Sequence, residues 1–352
     1  MPKSGRYPAE ALRSFAVALL EAAGAPPGNA AIVAKALVDA DIEGLASHGL
    51  LQLPMYLERI ARGSVDPAAT GEIVVDAGSR LTLDAQNGLG HVTAERACEI
   101  AIARAAEHGV AIVAVRNAFH FGAAGRFARR IALAGKIGIV MANTRPMLPA
   151  PGGAEAVVGN NPLAIAVPTG GEPIVLDLAM SAGAMGKVRL AASKGEPIPE
   201  GWALTAEGLP TRDAAEAIKG VLLPAAGAKG FGLAVMVDLL AGGLSAGGIG
   251  AEVQPLYGDL SRPYGSANLI MAIEIEGMRP LPDYEAAASG FADHIRQSKA
   301  APSAAPIRLP GDRAADARKR FDGSCALAAG TLAALHDQAN RLGIAIPDDL
   351  GG

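Results

Sequence analysis

Apolar residues recur every three or four positions through the first sixty or so residues, the period of helices that bury one face. The first helix opens at Pro8-Ala9-Glu10, lines up Phe15, Leu19, Leu20 and Ala23, and stops at Gly24 to Pro27. A second is expected over 30–43, ending at Gly44, and a third over 50–61, closed by Gly63. From Gly71 the period shortens to that of strands. Ile73-Val74-Val75 and Leu81-Thr82-Leu83-Asp84 read as strands joined through Gly78-Ser79, a hairpin signal. Helix 93–108, strand 110–115, helix 123–134 and strand 137–141 then alternate, and further strands are expected over 163–167, 174–178 and 269–275.

The stretch 194–227 is rich in Gly and Pro and reads mostly as loop, whereas 230–244 reads as an apolar, buried helix. Ala300 to Pro306 resembles a linker, and 312–342 a helical end broken near Gly323. The expected class is α/β. Its helical ends, 1–70 and 300–352, pack together beside a sheet domain formed by 71–299.

Composition narrows the field. The chain has 352 residues, 50% hydrophobic but only 4% aromatic, so its core must be built from Ala, Val, Leu and Ile. A net charge of −4, with no cluster of five or more Lys/Arg, argues against a nucleic-acid partner. Cys98 and Cys325 form no CxxC pair, which suits a reducing compartment. The opening MPKSGRYPAEALRSF lacks the apolar core of a signal peptide, and no eighteen-residue apolar window is free of charge. A soluble, cytoplasmic protein without a membrane partner is expected.

Four places gather residues that a core does not need. Ser47-His48-Gly49 follows a helix end, and a histidine there is a natural proton carrier or a cap. His120-Phe121-Gly122 follows a strand and precedes a helix N-terminus that can offer N–H groups to an anion, though a packed turn is an equal reading. Asn143-Thr144-Arg145-Pro146 and Gly159-Asn160-Asn161-Pro162 bracket a dense Gly/Pro loop, where Asn suits a carboxamide and ordinary turns are the alternative. Asp177 interrupts an apolar strand, which calls for a partner, a histidine being the obvious one. Lys229-Gly230 before an apolar helix suits a phosphate or carboxylate. No G-x-G-x-x-G, Walker A or metal-ligand spacing is present, and the six histidines are scattered.

In order along the chain come Asp41-Ile42-Glu43-Gly44, Ser47-His48-Gly49, Leu53-Pro54-Met55-Tyr56, His120-Phe121-Gly122, Gly159-Asn160-Asn161-Pro162, Asp177-Leu178-Ala179, Gly186-Lys187, Ile198-Pro199-Glu200-Gly201-Trp202-Ala203, Gly208-Leu209-Pro210-Thr211, Lys229-Gly230-Phe231-Gly232 and Leu309-Pro310-Gly311-Asp312. As a set they resemble the type-2 malate/L-lactate dehydrogenases, whose relatives include ureidoglycolate, sulfolactate, 2,3-diketogulonate and Δ1-piperideine-2-carboxylate oxidoreductases. The resemblance implies a homodimer with a family-specific, non-Rossmann fold for NAD or NADP. Hydride would pass between nicotinamide and C2 of a small 2-oxo or 2-hydroxy acid of malate, lactate or sulfolactate type.

His48 is implied as proton donor, oriented by Asp177 and joined by Ser47, with His120 the alternative proton carrier. Gly122, Asn161, Pro162, Ala179, Met180, Lys229, Gly230, Pro310 and Gly311 fall at positions expected around the cofactor, together with His120 and Asp177. Asn143, Gln52 and Arg145 are the expected substrate contacts. Where the family usually carries an Arg, this chain has Gln52, and Arg145 is the candidate replacement for holding the substrate carboxylate. Met180 stands where a Thr is common, and Thr205 where an Asp often follows Trp-Ala. A cyclic imino-acid reductase and an inactive ligand-binding relative are the competing readings.

Overall fold

The computed structural model describes residues 5–302 and 305–351, so Ser303 and Ala304 of the expected linker, and residues 1–4 and 352, lie outside the described residues. A seven-stranded mixed sheet forms the centre. Its strands run in the order Glu72–Asp76, Arg80–Asp84, Val110–Ala118, Ser266–Glu274, Lys136–Ala142, Leu163–Val167 and Ile174–Leu178. All seven are the strands expected from the apolar runs. The first two form the hairpin marked by Gly78-Ser79, with Ile73 opposite Leu83.

Although strands and helices alternate along the chain, in this sheet only Arg80–Asp84 and Val110–Ala118 run parallel. The other neighbours in this sheet are antiparallel, and Ser266–Glu274, returning from far along the chain, inserts between Val110–Ala118 and Lys136–Ala142. This topology brings the C-terminal ends of Val110–Ala118, Lys136–Ala142 and Ile174–Leu178 to one end of the sheet. The segments 119–125, 143–146, 159–162 and 179–181 therefore share that end.

Helices Gly90–His108 and Ala124–Leu133 cover one face of the sheet. Alanine dominates the contact: Ala94, Ala97, Ala101 and Ala128 meet Ala111, Ala142, Ala164, Ala166 and Ala272. Small side chains let helix and sheet approach closely, and at Gly138 any Cβ would run into the Ala128 carbonyl and Ile131. A second apolar cluster joins helices Ala9–Ala22, Pro27–Ile42, Leu53–Ala61 and Ala329–Leu342 around Phe15, Leu37, Tyr56 and Leu335. Both cysteines are buried and free.

Several expectations need correction. The supposed loop 194–227 holds helix Ala214–Lys219 and a small sheet of Ala203–Leu204, Pro210–Thr211 and Val221–Leu222, strands too short to show a period. Helices Met185–Lys194 and Leu281–Arg296 were not expected, since few of their residues are buried and their polar pattern is weak. The final segment is helix Asp312–Lys319, strand Ser324–Leu327 and helix Ala329–Leu342, and that strand pairs with Gly5–Pro8. Helix Ala228–Asp238, continued by a wider turn over Leu239–Gly243, is not buried all round: Leu233, Met236, Leu239 and Leu244 are exposed. No helix among the described residues is long and apolar enough to cross a membrane.

Candidate active site

Helix Pro27–Ile42 ends at Gly44, and two short 3-10 turns, Ala46–His48 and Leu50–Gln52, carry the chain into helix Leu53–Ala61. The buried Asp41 carboxylate holds this turn by accepting the Leu50 N–H at 2.8 Å. A Cβ at position 49 would overlap that carboxylate, which is why glycine follows His48. Burial, without a cation beside it, pushes Asp41 up to about 7, partly offset by the Leu50 bond.

The turn delivers His48 to the sheet end, where its ring stacks on His120 with centroids 5.9 Å apart and planes 20° from parallel. Ser47 Oγ lies 3.0 Å from His48 Nδ1. Tyr56 Oη lies 2.6 Å from His120 Nδ1, and its ring also neighbours His91 and Phe119. The histidines that are scattered in sequence thus gather as three: His48, His91 and His120. His91 was not anticipated, because it sits at the start of a helix with no motif to mark it. Gly122, at φ +79°, brings the 120–122 backbone against His91 and the His48 carbonyl, where a side chain would crowd.

The two stacked histidines differ in how their protons are held. Burial, with His48 beside it, lowers His120 to about 3, so it is neutral. Burial pushes Tyr56 well above the usual phenol range, so its hydroxyl keeps its proton. A fully buried O–H must donate, and His120 Nδ1 is its partner. His120 therefore carries its own proton on Nε2 and is fixed as a donor. His48 is lowered by burial too, but its Nδ1 partner is the exposed Ser47 hydroxyl, which can donate or accept. One histidine is locked; the other is free to exchange its proton.

Asp177 does not make its expected contact with a histidine. Its Oδ2 accepts the Gly125 N–H at 2.8 Å, capping helix Ala124–Leu133, and no hydrogen bond joins it to His48 among the described residues. The helix N-terminus expected to hold a ligand anion thus holds this carboxylate. Desolvation raises Asp177 to about 6, opposed by the Gly125 bond and reinforced by Glu43.

Other expected contacts also turn inward. The buried Asn143 donates to Asp238 and to the Gly248 carbonyl, and accepts the Ala267 N–H. Asn161, fully buried, accepts from Thr144 N–H and donates to the Ala234 carbonyl. The Met180 side chain is buried in an apolar cluster. Gly230 is packed where a Cβ would meet the Ala225 carbonyl, and Gly311 where it would meet Val175. Pro310 closes the sheet edge by accepting the Val175 N–H. The side chains of Asn143 and Asn161 thus spend their polar groups on protein and hold the loops in shape.

Gln52 is buried and bridges two parts of the site, donating to the Ser47 carbonyl at 2.6 Å and accepting from Tyr257 Oη at 2.7 Å. The segment carrying Tyr257 is fixed by Arg59, whose buried guanidinium donates to the carbonyls of Pro255, Leu256 and Arg262. Arg145 donates only to the Pro146 carbonyl and has no carboxylate within ion-pair reach among the described residues. Its positive charge acts on Tyr264, which burial pushes up to about 12. Lys229 is exposed in the first turn of helix Ala228–Asp238 and makes no hydrogen bond or ion pair among the described residues. Beside it a cavity of about 530 Å³ is lined by Pro149 to Gly153, Gly201, Pro224 and Gly227. Pro162 and Ala179 are half-buried beside these loops. No group of three or more His, Cys, Asp and Glu among the described residues is placed to hold a metal ion.

Stacked histidines at the end of a mixed sheet give this α/β protein groups suited to carrying a proton. Residues 7–335 match the family described as malate/L-lactate dehydrogenase, and the chain belongs to that family of oxidoreductases. It is 37% identical over 316 residues to a malate dehydrogenase of Pyrococcus abyssi, covering 88% of this chain and 86% of that one. It is 39% identical over 302 residues to a (2R)-3-sulfolactate dehydrogenase (NADP(+)) of Chromohalobacter salexigens, covering 85% and 88%. The solved sulfolactate dehydrogenase from Methanocaldococcus jannaschii superposes with a TM-score of 0.92 at 31% identity, covering 97% of this chain and 98% of that one.

Proposed function

We propose that this chain is an NAD(P)-dependent oxidoreductase that interconverts a small 2-oxo acid and its 2-hydroxy form. The stacked pair His48 and His120 carries the reading. His120, with its proton locked on Nε2, donates a hydrogen bond to the substrate oxygen and stabilises the charge that develops there. His48, whose tautomer is free, delivers the proton during reduction and removes it during oxidation, with Ser47 orienting its ring. Asp177 acts on this site indirectly, by fixing helix Ala124–Leu133 behind the 120–122 turn.

The nicotinamide supplies or accepts the hydride when bound. The residues present suit such a ligand: the unpaired Lys229 and the uncapped N-terminus of its helix offer positive potential, and the cavity lined by Gly and Pro exposes backbone. Asn160, whose amide nitrogen makes no hydrogen bond among the described residues, and the backbone at Pro162 and Ala179 complete the set on the sheet side. In this reading residues 71–299 bind the nucleotide without a Rossmann crossover, and the helical ends 1–70 and 300–352 carry His48 over it. A second copy of the chain covers the exposed Leu233, Met236 and Leu244. The buried free thiols fit a reducing compartment such as the cytoplasm.

NADH and NADPH oxidation against pyruvate, oxaloacetate, sulfopyruvate, 2,3-diketogulonate and Δ1-piperideine-2-carboxylate tests the reading. Turnover of an open-chain 2-oxo acid is the expected result. Turnover of the cyclic imine alone overturns it in favour of an imino-acid reductase, and cofactor binding without any turnover in favour of an inactive relative. Arg145→Ala is expected to raise KM for the acid about tenfold or more and leave KM for the cofactor alone; an unchanged KM removes Arg145 as the carboxylate partner.

A further inference from the structure

A further guanidinium, that of Arg189, reaches the neighbourhood of Ser47 and Gln52. Arg189, on helix Met185–Lys194, is exposed and forms neither a hydrogen bond nor an ion pair among the described residues. It is nevertheless held in place. Its guanidinium carbon lies 5.6 Å from the centroid of the Tyr257 ring, a cation–π distance. Tyr257 Oη donates to Gln52, and Gln52 donates to the carbonyl of Ser47, whose hydroxyl meets His48. One turn earlier on the helix, Gly186 lies against Ser47, its Cβ position 3.8 Å from the Ser47 Cβ. Arg189 is thus anchored from two directions to the residues beside the proton carrier, with its donors unspent.

A guanidinium lying over an aromatic ring keeps its N–H groups, which point outward in its own plane, available to a carboxylate or sulfonate. Arg145, also without a carboxylate within ion-pair reach among the described residues, acts electrostatically on Tyr264, and the phenol groups of Tyr257 and Tyr264 sense each other. The site therefore offers two separate cations without protein counter-ions, and a monoacid needs only one. We propose that Arg189 is a specificity-determining residue that binds the distal acidic group of a dianionic 2-oxo or 2-hydroxy acid, while the carboxylate next to the reacting carbon is held elsewhere. The proposal rests on the oxidoreductase reading. It adds that the chain selects acids with a second carboxylate or sulfonate, by a residue outside the family motifs.

Arg189→Gln and Arg189→Lys are compared with the wild type on oxaloacetate and sulfopyruvate, both dianions, and on pyruvate, a monoanion. In Arg189→Gln, kcat/KM for the dianions is expected to fall about ten- to a hundredfold, mainly through KM, with pyruvate and cofactor KM unchanged within about twofold. Arg189→Lys is expected to recover part of the loss. An unchanged preference in Arg189→Gln overturns the proposal while leaving the oxidoreductase reading intact. An equal fall on pyruvate overturns it too, because it shows that Arg189 serves the carboxylate common to all three acids or supports the fold. A wild type that binds NADH or NADPH yet reduces no 2-oxo acid overturns both readings together.

Discussion

Two groups of polar residues sit at the same end of the sheet, and they put their hydrogen bonds to opposite uses. Asn143 and Asn161, on the segments flanking Lys136–Ala142 and Leu163–Val167, are buried with both ends of their amides bonded to protein. His48 and His120, arriving on the 3-10 turn and on the segment after Val110–Ala118, each bond through Nδ1 and have no Nε2 partner among the described residues. In sequence both groups look like polar residues among glycines. What separates them is whether a second segment packs over the side chain. Saturated groups hold a loop in shape; a group with one free nitrogen can act on a ligand.

Variants at both places sharpen the contrast, beginning with the largest expected effect. His48→Ala is expected to lower kcat about 10²- to 10⁴-fold while cofactor binding, read from Trp202 fluorescence, persists. A loss of cofactor binding in step with kcat would place His48 in ligand binding instead of proton transfer. Asn161→Ala leaves the Thr144 N–H and the Ala234 carbonyl without partners and is expected to cost about 2–4 kcal/mol of stability in denaturant unfolding. A variant as stable as wild type but weak in cofactor binding would move Asn161 into the ligand-facing group.

Tyr56→Phe frees the His120 tautomer without opening a large cavity, and a fall in kcat of about tenfold is expected with little change in melting temperature. A wild-type rate would show that locking that proton has no bearing on turnover. Asp41→Asn gives the smallest effect. A carboxyl raised to about 7 in the folded chain binds its proton more tightly there than when unfolded. Its protonation therefore favours the fold at low pH, and that contribution is lost as pH climbs from about 4 towards 7. Asn retains an acceptor for the Leu50 N–H, so Asp41→Asn is expected to match wild type near pH 4 and to melt a few degrees higher at pH 8. A variant that melts lower at pH 8 would mean that the ionised carboxylate has a favourable partner after all.

The same contrast explains what the sequence discloses. The seven strands are legible because each is an apolar run flanked by Gly, Pro or a charge, and the helices that cover them keep a strong apolar stripe. Helix Leu281–Arg296 escapes because only Ala292 on it is buried. Strand order escapes as well, since nothing local in Ser266–Glu274 announces that it will insert between two earlier strands. His48, His120 and Lys229 are marked by their motifs. Gln52 is legible as a position but not in its partners, since Tyr257 lies 205 residues away. Asp177 is correctly read as a carboxylate in need of a partner, yet the partner is a backbone N–H, a donor that every residue but proline carries. Arg59 and His91 escape because no motif marks either position, and only the fold reveals that carbonyls or other rings surround them.

The insertion of Ser266–Glu274 at the middle of the sheet also sets an order of events during synthesis. When the ribosome has made the first 265 residues, Val110–Ala118 and Lys136–Ala142 both exist but have no hydrogen-bonding partner between them. The sheet is then two separate pieces, each with an open edge facing the other, and such edges invite pairing with foreign strands. The loops that carry His120 and Asn143 acquire their final spacing only when that late strand arrives. A chain cut short before residue 274 therefore contains nearly every residue of the site but not the ruler that spaces them.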